Sequence, residues 1–212
     1  MNPRTLDHVA LWVADRDAIA AIATERLGMH VIDRTDRFTL IGSDARRGKL
    51  TLFAAEGPRE QGALKRIGLR VSSLDGRRPH VDLGEGVEVV LVEAETEVEF
   101  DLDHVELYST DPVAAADAWE AYGLARVGET RLEVGGAFVE LHPGEPGDPE
   151  RPLLNHLAVL VDSVDEHVAG AEERGIEVAE VVDAANTLAL FVWGPDRVKL
   201  EYVEHKPSFS LT

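Results

Sequence analysis

Three stretches of the chain place apolar and polar residues in the same order. LDHVALWV (6–13), LDHVELYS (102–109) and LNHLAVLV (154–161) each carry a histidine in third place. Their alternation has the period of a half-buried strand. Each is followed by a segment with helical periodicity: DRDAIAAIATERLGM, DPVAAADAWEAYGL and DSVDEHVAGAEERGI. The interval from histidine to helix-ending glycine is nearly constant: His8 to Gly28, His104 to Gly123 and His156 to Gly175 span 20, 19 and 19 residues. Asp111 is placed to cap the second helix, with Pro112 at its first position, where a missing N–H costs nothing. Gly28, Gly123 and Gly175 stand where a left-handed residue ends a helix. Short strand-like runs then follow in each case, closing with KLTLFA, AFVELHP and RVKLEYV. Each unit reads strand, helix, strand, strand, strand, and recurrence at this length marks an internal repeat.

A fourth, degraded copy lies between the first two. LKRIGLRVSSL (64–74) resembles the opening strand and VEVVLVE (87–93) the closing one, with Arg66 in the place of the histidine. Too few residues separate them for a helix and two strands. The acidic stretch 95–101 predicts a boundary between two halves, 1–98 and 99–212. PGEPGDPERP (143–152) is a connection between the third and fourth units. The fold class expected is α+β, built from four βαβββ units of which the second is degraded.

Alternation also sorts side chains by face. His104, Glu106 and Tyr108 lie opposite Val105 and Leu107, and His156, Ala158 and Leu160 lie opposite Leu157, Val159 and Val161. Apolar partners identify the core side, so both histidines point away from the helices. On the closing strands Glu201 shares a face with Lys199 and Val203, and Glu140 with Phe138 and His142. A carboxylate among apolar residues is costly unless paired or bound to a cation. If the third and fourth units are related by a two-fold, His104, Glu140, His156 and Glu201 converge. Two imidazoles and one or two carboxylates suit one divalent ion, Fe2+ or Mn2+ first and Zn2+, Ni2+ or Co2+ next. Calcium wants more oxygens. Glu140 or His142 is a candidate base, and Tyr108 and Glu106 candidate substrate-contacting or supporting groups. For His8 the expectation differs. Its own closing strand offers Thr51 and the neighbouring unit Arg66 and Val90, so it reads as a hydrogen-bonded core histidine in a metal-free half.

Composition narrows the classes. There is no cysteine, so thiolate metal sites, disulfides and cysteine nucleophiles are excluded. A formal charge of −19 opposes nucleic acid and anionic membranes as partners. No apolar run approaches the ~20 residues that span a bilayer, and MNPRTLDHVA lacks the pattern of a signal peptide. A cytoplasmic enzyme of a small-molecule substrate is expected, and a homo-oligomer is compatible with this.

The histidine openings, together with the closing WGPDRVKLEYVE, resemble the vicinal oxygen chelate superfamily. That group includes glyoxalase I, extradiol dioxygenases and bleomycin resistance proteins. The resemblance implies paired βαβββ units whose mixed sheets curl into cups, helices outside, around a metal held by opening-strand histidines and closing-strand glutamates. By position His104, His156 and Glu201 match the ligand trio of the extradiol dioxygenases, and Glu140 completes a glyoxalase-like set of four. It implies a metal-free first pair of units and an active second pair. Phe191 stands where extradiol enzymes carry a tyrosine, and Val182 lies where their acid–base histidine is expected. Isomerase or lyase chemistry, or a metal-free binding protein, are the alternatives that this family offers.

Overall fold

The computed structural model describes residues 1–57 and 59–211. The first unit comprises β1 (Thr5–Val13), α1 (Arg16–Leu27), β2 (His30–Arg34), β3 (Phe38–Gly42) and β4 (Lys49–Ala54). The second has only strands, β5 (Leu64–Val71), β6 (His80–Asp82) and β7 (Glu88–Glu93). The third is β8 (Asp101–Ser109), α2 (Pro112–Trp119), β9 (Ala125–Arg126), β10 (Arg131–Val134) and β11 (Ala137–Pro143). The fourth is β12 (Leu154–Leu160), α3 (Val164–Arg174), β13 (Val178–Asp183), β14 (Thr187–Trp193) and β15 (Lys199–His205).

The helices begin and end where local chemistry dictates. Asp15, Asp111 and Ser163 accept hydrogen bonds from the first-turn N–H groups of α1, α2 and α3. Pro112 opens α2, and a short 3-10 turn carries that helix on to Gly123. Gly28, Gly123 and Gly175 all close their helical segments in the left-handed conformation. No helix among the described residues is long and apolar enough to cross a membrane.

Two mixed, open sheets result. One runs β13-β14-β15-β12-β1-β4-β3-β2 and the other β6-β7-β5-β8-β11-β10-β9. The centre of the first is the antiparallel pair β1 and β12, and that of the second is β5 and β8. The first unit therefore pairs with the fourth, and the second with the third. This corrects the expectation that each half, 1–98 and 99–212, pairs its own two units. Antiparallel opening strands need only matching apolar faces, and those are alike in every copy.

A continuous apolar core runs beneath both sheets, from Leu6 and Val9 through Ile67 and Val105 to Leu157 and Tyr202. Trp119 on α2 is buried and lies against Gly194 of the fourth unit, where any Cβ would collide with the indole. Tyr122 donates to Trp193 O at 2.9 Å, and Tyr202 donates to Tyr122 O at 2.8 Å. These contacts tie the third unit to the fourth across the two sheets.

Candidate metal centre

All four opening strands share a local irregularity that positions the site. The antiparallel registers skip Asp7 on β1, Lys65 on β5, Asp103 on β8 and Asn155 on β12. Each is the residue just before the one that occupies the histidine position. A bulge inserts an extra residue, bends the strand and re-aims its side chain. Simple alternation would send Asp7 and His8 to opposite faces; the bulge lets them meet. Asp7 Oδ1 lies 2.7 Å from His8 Nδ1, Asp103 Oδ1 2.7 Å from His104 Nδ1, and Asn155 Oδ1 2.9 Å from His156 Nδ1.

In the larger sheet the registers create a local two-fold. His8 stands opposite Ala158 and Ala10 opposite His156. On the flanking strands Ala158 neighbours Glu201, and Ala10 neighbours Thr51. The four corners of this cup are thus His8, Thr51, His156 and Glu201. Three of them meet: His8 Nε2 lies 3.0 Å from His156 Nε2, and Glu201 Oε2 lies 3.1 Å from the first and 2.9 Å from the second. His156 and Glu201 are buried and His8 nearly so.

The donor set fits a divalent cation. Each Nδ1 faces an oxygen that can only accept, so each histidine carries its hydrogen there and turns the lone pair of Nε2 inward. Two imidazole lone pairs and a carboxylate oxygen then converge, with no hydrogen among them to share. Glu201 Oε2 accordingly has no hydrogen-bond partner. Without a metal, a proton must fill this place. Burial alone would depress His8, but the Glu201 and Asp7 carboxylates outweigh it and raise the imidazole to about 9. Burial would raise Glu201, but the two histidines hold it near about 2. His156, supported by an uncharged amide, is pushed down by its burial. Among the described residues, these three form the one cluster of His, Asp and Glu close enough to share an ion.

His104 and Glu140 are not part of it. They belong to the smaller sheet, whose corners are Arg66, Val90, His104 and Glu140. This corrects the expected convergence of His104 and Glu140 with His156 and Glu201. The cause is the pairing of units, which exchanges the third for the first as partner of the fourth. The second cup is filled by its own charges. Lys65, Arg66 and His142 all reach Glu106 Oε2, at 2.8, 3.1 and 3.1 Å. Burial would raise Glu106, but the two cations lower it to about 2. Glu140 accepts from Thr130 Oγ1 at 2.8 Å and Arg131 Nε at 2.5 Å. His104 stacks on Phe138 with centroids 4.7 Å apart and lies over Gly68, where a Cβ would overlap the ring. Fixed cations thus stand where a metal would have to compete. His142, Glu140 and Tyr108, expected as catalytic, do not line the first cup.

A cavity of about 390 Å³ opens onto the trio. Its walls include Phe38, Phe53, Phe191 and Phe209, four of the six phenylalanines in the chain. Phe191 sits beside Glu201 in the sheet and meets His156 edge-on, with ring centroids 5.1 Å apart. The polar floor holds Thr51, Lys49, Asp7 and His205. Sequence reasoning missed Asp7, Asn155 and Lys49. The dipeptides Asp-His, Asp-His and Asn-His were the available signal, because a carboxylate or amide before each histidine is what a bulged strand would turn onto the ring.

Residues 5–97 match the family model described as the Glyoxalase/Bleomycin resistance protein/Dioxygenase superfamily. No curated protein matches the sequence. Among solved structures, a Bacillus subtilis subsp. subtilis str. 168 chain with a provisional dioxygenase assignment superposes with a TM-score of 0.76. The identity is 16%, covering 98% of this chain and 87% of that one. Glyoxalase I from Zea mays superposes with a TM-score of 0.68 at 16% identity, covering 94% and 92%. The cppA protein from Streptococcus pneumoniae TIGR4 gives 0.63 at 14%, covering 96% and 98%. Residues 5–97 match this superfamily's model, and the chain shares with these structures an α+β fold of two mixed sheets.

Proposed function

We propose that this member of the glyoxalase and dioxygenase fold is an enzyme that holds one divalent metal on His8, His156 and Glu201. Its substrate would be a small molecule bound through two adjacent oxygens. The observation that carries the reading is the convergence of two imidazole nitrogens and one carboxylate oxygen within 3.1 Å of one another.

The fourth corner decides between chemistries. Thr51 occupies the place that Glu201 has in the fourth unit. A neutral hydroxyl there leaves two histidines and one carboxylate, the triad of non-haem Fe(II) oxygenases, with open positions on one face for substrate and dioxygen. A second carboxylate would have supported isomerase or lyase chemistry by shuttling a proton. Glu140, expected in that part, lies in the other sheet with Arg131. Oxygen-dependent cleavage is therefore the favoured reaction, and Fe2+ or Mn2+ the favoured ion. The metal would supply Lewis acidity toward the chelated oxygens. Asp7 and Asn155 hold the rings in the ligating tautomer, and the phenylalanine walls suit an apolar or aromatic body.

The test is oxygen uptake by anaerobically reconstituted Fe(II) or Mn(II) protein, measured with a panel of catechols. Consumption of one dioxygen per substrate, lost on His156→Ala, supports the reading. Metal retention without uptake, but with conversion of a 2-oxoaldehyde hemithioacetal, would favour the lyase. No metal retained would leave a binding protein.

A further inference from the structure

Lys49 is placed on β4 beside His8 in the parallel register, and only 4% of it is exposed. Lysine is almost never buried to this degree unless paired. Its ammonium has three N–H donors. Among the described residues it meets one acceptor, Asp7 Oδ1, at 2.7 Å. Oδ1 is shared with His8 Nδ1 at 2.7 Å, while Oδ2 lies 3.0 Å from His205 Nε2 with no hydrogen bond formed, and Lys49 does not reach it. Two ammonium donors are thus left without protein partners. Leaving buried donors unmade is costly, and a leucine or methionine would shape the wall without that cost. Lys49 lines the cavity, as do His205 and Thr51, while Phe38, Phe53 and Phe191 line the rest.

The location adds a constraint. His8 turns Nε2 toward His156 and Glu201 and Nδ1 toward Asp7, and Lys49 bonds to the same Asp7 oxygen. The ammonium therefore stands behind the imidazole, set back from the point where the three ligand atoms converge. A group that pairs with the ammonium on its free side is then distinct from the oxygens held at that point. We propose that Lys49 binds a second, anionic group of the substrate, a carboxylate, so that the substrate is two-headed: vicinal oxygens at one end and a carboxylate at the other. This rests on the proposed metal-chelating reading of the cup.

The test uses the Co(II)-loaded full chain and two probes, 3-(2,3-dihydroxyphenyl)propanoate and its primary amide, titrated by the visible Co(II) spectrum. The acid should bind roughly 10- to 100-fold tighter than the amide, the range of a charge-assisted hydrogen bond. Lys49→Met should erase that preference by weakening the acid alone, and Lys49→Arg should restore part of it. Retention of one Co(II) per chain by Lys49→Met shows that the variant folds. Equal binding of acid and amide by the unsubstituted protein, or an equal loss of both in Lys49→Met, would overturn the proposal. Silence of the Co(II) spectrum toward both probes would instead count against the metal reading. Calorimetric titration of the metal-free protein then reads Lys49 alone: an acid preference erased by Lys49→Met upholds the assignment, and its absence overturns it.

Discussion

Metal binding to this cup should release a proton, and the amount should follow from His8. In the metal-free protein the Glu201 and Asp7 carboxylates overcome burial and raise that imidazole to about 9. At pH 7 it is then protonated in roughly 99 of 100 molecules, and the ion must displace that proton to gain the Nε2 lone pair. The displacement costs about 1.36 kcal/mol for each pH unit below the raised value, so about 2.7 kcal/mol at pH 7. Affinity should therefore rise roughly tenfold per pH unit between about 7 and 9 and then level off. Calorimetry with Co2+ in buffers of different ionisation enthalpy counts the protons: roughly one per metal at pH 7, tending to none above about 9.5. The same shift fixes a sign for stability. Because the folded value is raised, the contribution is present in full below the ordinary 6.5 and is lost as pH rises through about 9. The metal-free protein should lose thermal stability across that window, and the loaded protein should not. Metal binding at pH 7 with no proton released would refute the reasoning, since it would mean that the convergent lone pairs do not need a cation between them.

Three further substitutions probe the rest of the two cups. Thr51→Glu should supply the fourth ligand, tightening Co2+ roughly tenfold or more in a chelator competition while suppressing oxygen uptake. Glu106→Gln should destabilise the fold by about 3 kcal/mol in urea, because Lys65 and Arg66 lose their shared anion, and should leave metal content unchanged. Since Glu106 is depressed to about 2, its contribution is present above the ordinary value near 4.5 and is lost as pH falls toward about 2. Acid unfolding of the unsubstituted protein should therefore be steeper than that of Glu106→Gln. Gly68→Ala should cost about 1–3 kcal/mol by overpacking against His104, again without touching metal content.

Much of this was legible in the sequence. The period-two openings, the helix caps at Asp111 and Pro112 and the glycine stops lie where local rules put them, because those rules involve only near neighbours. The truncated second unit was legible too, and it lacks a helix. His156 and Glu201 were legible as partners because each is a polar residue on a strand face that the core does not claim, and they meet at 2.9 Å. What could not be read was which repeat faces which. His8 and His104 stand at the same place in equivalent strands, with Asp7 and Asp103 before them, and periodicity cannot tell them apart. Taking Arg66 and Val90 as the companions of His8 follows from pairing neighbours in sequence, and it makes a core residue of a histidine that clusters with His156 and Glu201. The bulges were equally hidden, because one inserted residue breaks the alternation used to assign faces. The second cup did carry a signal: Lys65 and Arg66 are adjacent cations in a strand whose counterparts hold Asp-His or Asn-His. A pair of positive charges there competes with a metal for Glu106.

The proposed metal site is built by the first and fourth units, not the third and fourth. Metal content of His8→Ala and His104→Ala, measured by mass spectrometry after Co2+ loading and desalting, tests it most directly. The account predicts that His104→Ala retains about one ion per chain, as the unsubstituted protein does, and that His8→Ala retains almost none. An ion kept by His8→Ala and lost by His104→Ala would contradict it.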